Sequence, residues 1–327
     1  MRKIGITTTI PSEIIYSAGA VPVDLNNIFI TSPIKGDFVY SAEKEGFPST
    51  LCSWVKGIYS SAKSRDDIKE IVVVTDGDCS NSRPLAELLE RIGKKIITFG
   101  YPFDRNRKKL EEHIFELLNY FDVTLEEATK TAHALDKIRE KLDYLDFLSW
   151  HDGKITGLEN HLWLVNSSDF EGNPKDYENR LDDFLRKAEK RKEKNDFLRI
   201  GLVGVPPIFS DLYEYLESKG ARVIYNETQR QFSMPLANRG GDLIDRYLNY
   251  AYPYSFTFRL QDIKKQIEIR HLDGIIHYTQ SFCHHQMEHV LLKNSVNIPT
   301  LFLEGDRPAK LDERLKIRIE SFIEMIG

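Results

Sequence analysis

The sequence predicts an α/β protein made of two doubly wound parallel-sheet domains joined by helices. Three observations predict it. Ile71-Val72-Val73-Val74-Thr75 is an unbroken β-branched run, the pattern of a strand covered on both faces of a parallel sheet. Strand-like and helix-like segments alternate through the first third of the chain. The same alternation resumes at Phe197, after a charged helical middle.

Each element has a local reason. Lys3–Thr8 reads as a strand, and Pro11–Gly19 as a helix opened near the proline and closed by the glycine. Ala20–Leu25 is a short second strand. Pro84–Gly93 is a helix ending on glycine, and Lys95–Gly100 is another buried strand. In Asn106–Phe121, residues Leu110, Ile114, Leu117, Leu118 and Phe121 share one helical face. Thr124 and Glu127 form a capping box for a helix running through Leu135, Ile138, Leu142 and Leu145. The mixed-charge run Arg186–Asp196 reads as a solvated helix end at a domain junction. Strands then return at Phe197–Pro206, Ala221–Glu227, Asp273–Gln280 and Ile298–Asp306. A last helix has Leu311, Leu315, Ile319, Phe322 and Ile323 on its inner stripe. The chain thus divides into an N-terminal α/β domain over 1–150 with Cys52 and Cys79, a helical connection over 151–197, and a C-terminal α/β domain over 198–327 with Cys283.

Bulk properties narrow the function. A chain of 327 residues can bury two cores. The formal net charge of -5 argues against nucleic acid as a partner. No apolar run reaches the roughly 20 residues of a membrane span, and Met1–Ile15 is too broken by threonines and a proline for a signal peptide. A cytoplasmic protein is expected. The Gly201–Pro207 stretch lacks the dinucleotide fingerprint, and no phosphate-binding P-loop occurs, so this chain is expected to bind neither ATP nor a dinucleotide.

The three cysteines carry the chemistry. Cys79 and Cys283 each follow a buried strand, where ligand sites gather in open α/β sheets. Cys52 lies just beyond Pro48-Ser49, read as the opening of a helix. Helix starts offer free N–H groups and positive potential, which favour a metal-binding thiolate. Three is also the number of protein ligands that leaves one corner of a cubane iron–sulfur cluster open. Zinc with an added histidine, or simple core packing of the thiols, remain alternatives on this reading.

The stretches Thr9–Val23, Cys52 after Phe47-Pro48-Ser49-Thr50, Val72–Cys79 and Ile298–Asp306 with the last helix resemble the 2-hydroxyacyl-CoA dehydratase family. That family includes the D-component and the benzoyl-CoA reductase cluster subunits. The resemblance implies flavodoxin-like domains and one [4Fe-4S] cluster per chain held by Cys52, Cys79 and Cys283, with one non-cysteine ligand site. It implies an ATP-hydrolysing iron–sulfur activator protein as electron donor, which enables one-electron reductive dehydration or reduction of a small-molecule substrate. A homodimer or pseudo-symmetric heterodimer is expected. The alternatives are a non-catalytic electron-transfer, cluster- or sulfide-carrying module, and a metal-free binding protein. Against that pattern, the N-terminal helical extension of larger dehydratase subunits is not expected in this chain, which argues against CoA thioesters.

His284, beside Cys283, is a candidate acid–base or hydrogen-bond donor, and His285 shares that standing. Glu288 and His289, one turn further, are placed out of reach. Glu304 ends a strand and is expected to face the same cleft. Ser12 starts the first helix beyond the first strand, as N-cap or as a catalytic candidate. Tyr225, Asn226 and Glu227 end another strand. Trp54 and Trp150 are expected in the core.

Overall fold

A computed structural model describes residues 1–327. The first sheet contains β1 (Lys3–Ile6), β2 (Val21–Asp24), β3 (Ile68–Asp76) and β4 (Lys95–Gly100), in the spatial order β2-β1-β3-β4. The second contains β5 (Leu198–Gly204), β6 (Ala221–Asn226), β7 (Gly274–Gln280) and β8 (Thr300–Gly305), in the order β6-β5-β7-β8. Every pairing is parallel, with Ile6 opposite Val72 in one sheet and Val203 opposite His277 in the other. The two orders are the same flavodoxin-like order, used twice. In each sheet the winding reverses next to the first strand, so a crevice opens between β1 and β3, and again between β5 and β7.

The β-branched run fills both faces of its sheet. Val72 and Val74 point into a core with Ile4, Ile6, Leu110, Ile114 and Leu117, while Ile71 and Val73 point the other way onto Val55, Ile58, Ala62 and Leu89. In the second domain Ile276 and Tyr278 pack with Ile200, Leu202, Leu315 and Ile319; Ile275 packs with Val203 and Ile263.

Helices join the halves. The capping box of Thr124 and Glu127 opens helix Leu125–Trp150, whose Leu135, Ile138, Leu142 and Leu145 pack on Leu181 and Leu185 of helix Pro174–Glu189. The charged run ends that helix at Glu189 and continues as an exposed link to β5. A stretch between β6 and β7 crosses back: Met234, Leu243, Ile244, Tyr247 and Tyr250 belong to the core of the first sheet. Arg246 anchors it with two 2.7 Å bonds to the buried Asp136. Tyr247 donates to Ile10 O and to Glu13 Oε2, both at 2.8 Å.

Several expectations need local adjustment. Pro48–Leu51 is a turn, and the helix opens at Ser53, which makes Cys52 its N-cap. The first helix starts at Ser12, with Pro11 in the cap position and no side-chain cap bond. After Cys283 comes a 3-10 turn, His284–Met287, and then the short helix Glu288–Lys293. Two helices between β2 and Cys52, Leu25–Thr31 and Lys35–Lys44, were not read from the sequence. No helix is long and apolar enough to cross a membrane.

Candidate metal centre

Cys79 lies three residues beyond the end of β3, and Cys283 three residues beyond the end of β7. Each stands just outside the crevice of its own sheet. Cys52 reaches the same place from the start of helix Ser53–Lys63. All three line one cavity of about 130 Å³ whose walls come from both domains.

The surroundings of the three sulfurs repeat. Burial pushes the Cys52 thiol up, while the backbone N–H groups of Val55 and Trp54 bond to it and pull it down. Burial pushes Cys79 up to about 12 against an N–H bond from Asn81. It pushes Cys283 up to about 12 against an N–H bond from His285. In every case the donor includes the residue two positions on, the geometry of a chain turning into a helix. The thiols also raise one another: Cys79 feels Cys52 and Cys283, and Cys283 feels Cys52. Three thiolates placed together need a cation among them, and no lysine or arginine lines the cavity. A soft sulfur donor set of this kind suits iron–sulfur or zinc chemistry. The N–H groups aimed at the sulfurs are the outer-shell bonds such centres use. The residues present therefore fit the cluster that the family resemblance implies.

His285 is buried, with Nδ1 2.8 Å from Glu288 Oε1. Glu288 accepts from Arg259 Nη1 at 2.8 Å, and Arg259 makes two further 2.8 Å bonds to Glu227. Glu227 Oε2 in turn accepts from Gly204 N at 3.1 Å, at the end of β5. This chain fixes the Cys283 turn to the sheet. Its charges hold the Glu288 carboxyl down at about 2, although burial alone would raise it. Cys283, His284 and His285 offer ligand atoms all within 4.8 Å of one another, a group able to hold a metal ion.

The other expected site residues separate. His284 lines the cavity. Glu304 does not; it accepts from Ser281 Oγ at 2.6 Å in a second, polar hollow with Asp306 and Arg307. Ser12 is buried and also does not line the cavity. Asn226 is tied to Tyr213 and Asn160. Trp54, expected in the core, lines the cavity, whereas Trp150 packs against Arg270. Sequence reading missed Asp24, Asp78 and Gln280 on the cavity wall, and the role of Glu288 and Arg259 behind His285. Asp78, next to Cys79 in the same turn, carried a usable signal of position; Asp24 and Arg259 are far from any cysteine in sequence.

Residues 7–326 match the family model "2-hydroxyglutaryl-CoA dehydratase, D-component". The chain belongs to this family. Its members are dehydratase components known for iron–sulfur clusters that usually work with an activator partner. A search of curated proteins gives no match. Among solved structures, the chain is similar to SBP FpvC from Pseudomonas aeruginosa in complex with Mn2+, at 14% identity over 100% of both chains and a TM-score of 0.25. The Ni2+ complex of FpvC gives 14% identity over 99% of this chain and 97% of that one, also with a TM-score of 0.25. At that score the likeness carries no argument for the D-component chain.

Proposed function

We propose that this D-component family member holds one [4Fe-4S] cluster on Cys52, Cys79 and Cys283 and performs one-electron reductive chemistry on a small substrate. The observation that carries the reading is the convergence of three thiols from two domains on one cavity, each met by a backbone N–H. When bound, the cluster supplies an iron with an open coordination position and a one-electron couple. The protein holds the thiolates and shields the site within the interdomain cavity. His284 stands on the cavity wall as a proton donor or acceptor to the ligand, and His285 is oriented by Glu288. The electron comes from a separate ATP-hydrolysing activator, in keeping with the family. Glu304 and Ser12 have no support from the cavity as catalytic groups.

A second reading has its own observation. The Cys283, His284 and His285 group favours a single bound metal ion such as zinc. Metal and acid-labile sulfide counts on anaerobically purified protein separate the two. The cluster reading expects about four irons per chain, lost in Cys52→Ser, Cys79→Ser and Cys283→Ser alike and retained in His284→Ala. Metal without sulfide, lost in His284→Ala and kept in Cys52→Ser, would replace it with the single-ion site.

A further inference from the structure

Lys56 is a cation in a place that does not suit one. Its side chain is 0% exposed, one turn beyond Cys52 on the helix Ser53–Lys63. A buried charge adds little to stability, and an apolar side chain of similar volume often serves as well or better. Its contacts point to a use. The Lys56 ammonium donates to Ser49 O at 3.1 Å, in the turn that leads into Cys52, and to Glu43 Oε1 at 2.7 Å. The chain before Cys52 is thereby clamped to the chain after it. Cys52 is the cap residue between the two, and no side-chain bond caps the helix there.

The clamp continues into the second domain. The same Glu43 oxygen accepts a 2.7 Å bond from Arg307 Nη2. Arg307 lies just beyond β8, and Glu43 is on helix Lys35–Lys44. That helix stands between the halves: its Ala42 is buried in the core with Val55 and Ile71, and its Val39 in the core with Ile200 and Ile276. A continuous path of polar contacts thus runs from Arg307 through Glu43 and Lys56 to the turn at Ser49. Charge acts along the same path. Apart from burial and the backbone N–H groups, the Lys56 ammonium favours the Cys52 thiolate, and Asp306, beside Arg307, opposes it. At Cys79 and Cys283 the chief neighbouring charges are Asp78, Glu288 and the other thiols, all of the opposing sign.

We propose that Lys56 is the positioning residue of the Cys52 arm, and that its tie through Glu43 to Arg307 makes the placement of this thiolate depend on the second domain. The inference rests on the cluster reading above and adds what regulates that site. The test uses anaerobic iron-loaded full-length protein and two readouts. One is the rate of iron transfer to a ferrous chelator; the other is the midpoint potential of the cluster, followed by EPR in a redox titration. In Lys56→Met iron transfer is expected to quicken about 10–100-fold, the range for loss of an outer-shell partner. Its midpoint potential is expected to fall, because a positive charge that favours the reduced state is gone. Glu43→Gln removes the opposite charge, so its potential is expected to rise while iron transfer again quickens. Arg307→Met cuts only the link from the second domain and is expected to quicken iron transfer by less than Lys56→Met. Wild-type transfer in Lys56→Met, or faster transfer with both potentials unmoved, overturns the role of Lys56. Wild-type transfer in Arg307→Met overturns the dependence on the second domain. Should Lys56→Met fail to fold, Glu43→Gln and Arg307→Met, at partly exposed residues, decide by the same readouts. Wild-type protein that holds no iron and sulfide overturns the cluster reading instead, and this inference with it.

Discussion

In the first domain the turn after β3 carries Asp78 and Cys79; in the second the turn after β7 carries Phe282 and Cys283 at the same distance from the strand end. Backbone position is shared, but support is not. Cys79 leads into a ten-residue helix, Ser82–Arg91, whose Leu85 and Leu89 are buried in the core. Cys283 leads into a 3-10 turn and a six-residue helix with only Leu292 buried. So short a helix cannot hold its own start in place by packing. The second domain substitutes a buried hydrogen-bonded chain, His285 to Glu288 to Arg259 to Glu227. The turn itself is strained: Phe282 has φ 61°, where the first domain nearby uses Gly77 at φ 96°. Topology decides where a thiol can sit, and the side chains behind it decide how firmly.

The largest effect should come from breaking that chain. Glu227 and Arg259 are each 1% exposed as side chains. Glu227→Gln leaves Arg259 buried with half its partners, and removal of one member of such a pair costs about 3–5 kcal/mol. Denaturant unfolding should show this loss, and iron retention should fall with it. If the variant unfolds like wild type, the Cys283 turn stands without the ion chain and the contrast between domains fails.

The next test is pH. At the sixth position before each cysteine the first domain has Val73 and the second has His277, both fully buried. Burial pushes the His277 imidazole down to about 3. Its folded pKa lies below the unfolded one, so the unfolded chain binds the extra proton. Stability is whole above the ordinary value of 6.5 and falls as pH drops from 6.5 through about 3. At about 1.4 kcal/mol per pH unit, the loss reaches roughly 3 kcal/mol near pH 4. His277→Leu should flatten the stability curve across that window by this amount. An unchanged slope would mean the second sheet is no more acid-sensitive at this strand than the first.

How much of this was legible depended on sequence distance. The parallel strands were plain because Ile71–Val74 and Gly274–Ile276 are apolar runs, and the cysteines stood a few residues beyond them. The fold needed only local pattern. The cavity wall needed long-range contact: Asp24 and Gln280 lie 256 positions apart in number and meet across the domain boundary. Glu304 misled because ending a strand does not say which way the side chain turns, and here it turns to Ser281. The two helices before Cys52 went unread because Leu25–Thr31 and Lys35–Lys44 are short, and their buried residues, Leu25, Phe29, Val39 and Ala42, are few.

A smaller effect is expected where the first domain differs by having a second thiol. Gly57, in the helix that begins after Cys52, faces the Phe29 ring, and an added Cβ would clash with it. Phe29 is buried and in edge contact with Trp54, so the ring has little room to yield. Gly57→Ala should cost about 1–3 kcal/mol by overpacking. It should also displace the start of the helix that presents Cys52. Lower iron content with Cys79 and Cys283 untouched would show that the extra thiol depends on this one close approach. Full iron content would show that the turn at Pro48–Leu51 positions Cys52 by itself.

The smallest effect should fall on the start of the long helix that leads out of the first domain. Thr124 Oγ1 accepts from Glu127 N at 3.2 Å, and Glu127 Oε2 accepts from Thr124 N at 2.8 Å. Thr124→Ala removes the cap of the long connecting helix and should cost about 1 kcal/mol. That helix carries the buried Asp136, which binds Arg246 of the segment crossing back from the second domain. The cap is three turns from Asp136, and a frayed first turn leaves that pair in place. Calorimetry should therefore record a small fall in melting temperature with iron content and the EPR response unchanged. A loss of iron in Thr124→Ala would instead mean that the relative placement of the domains, and so the meeting of Cys283 with Cys52 and Cys79, is set from the far end of the connection.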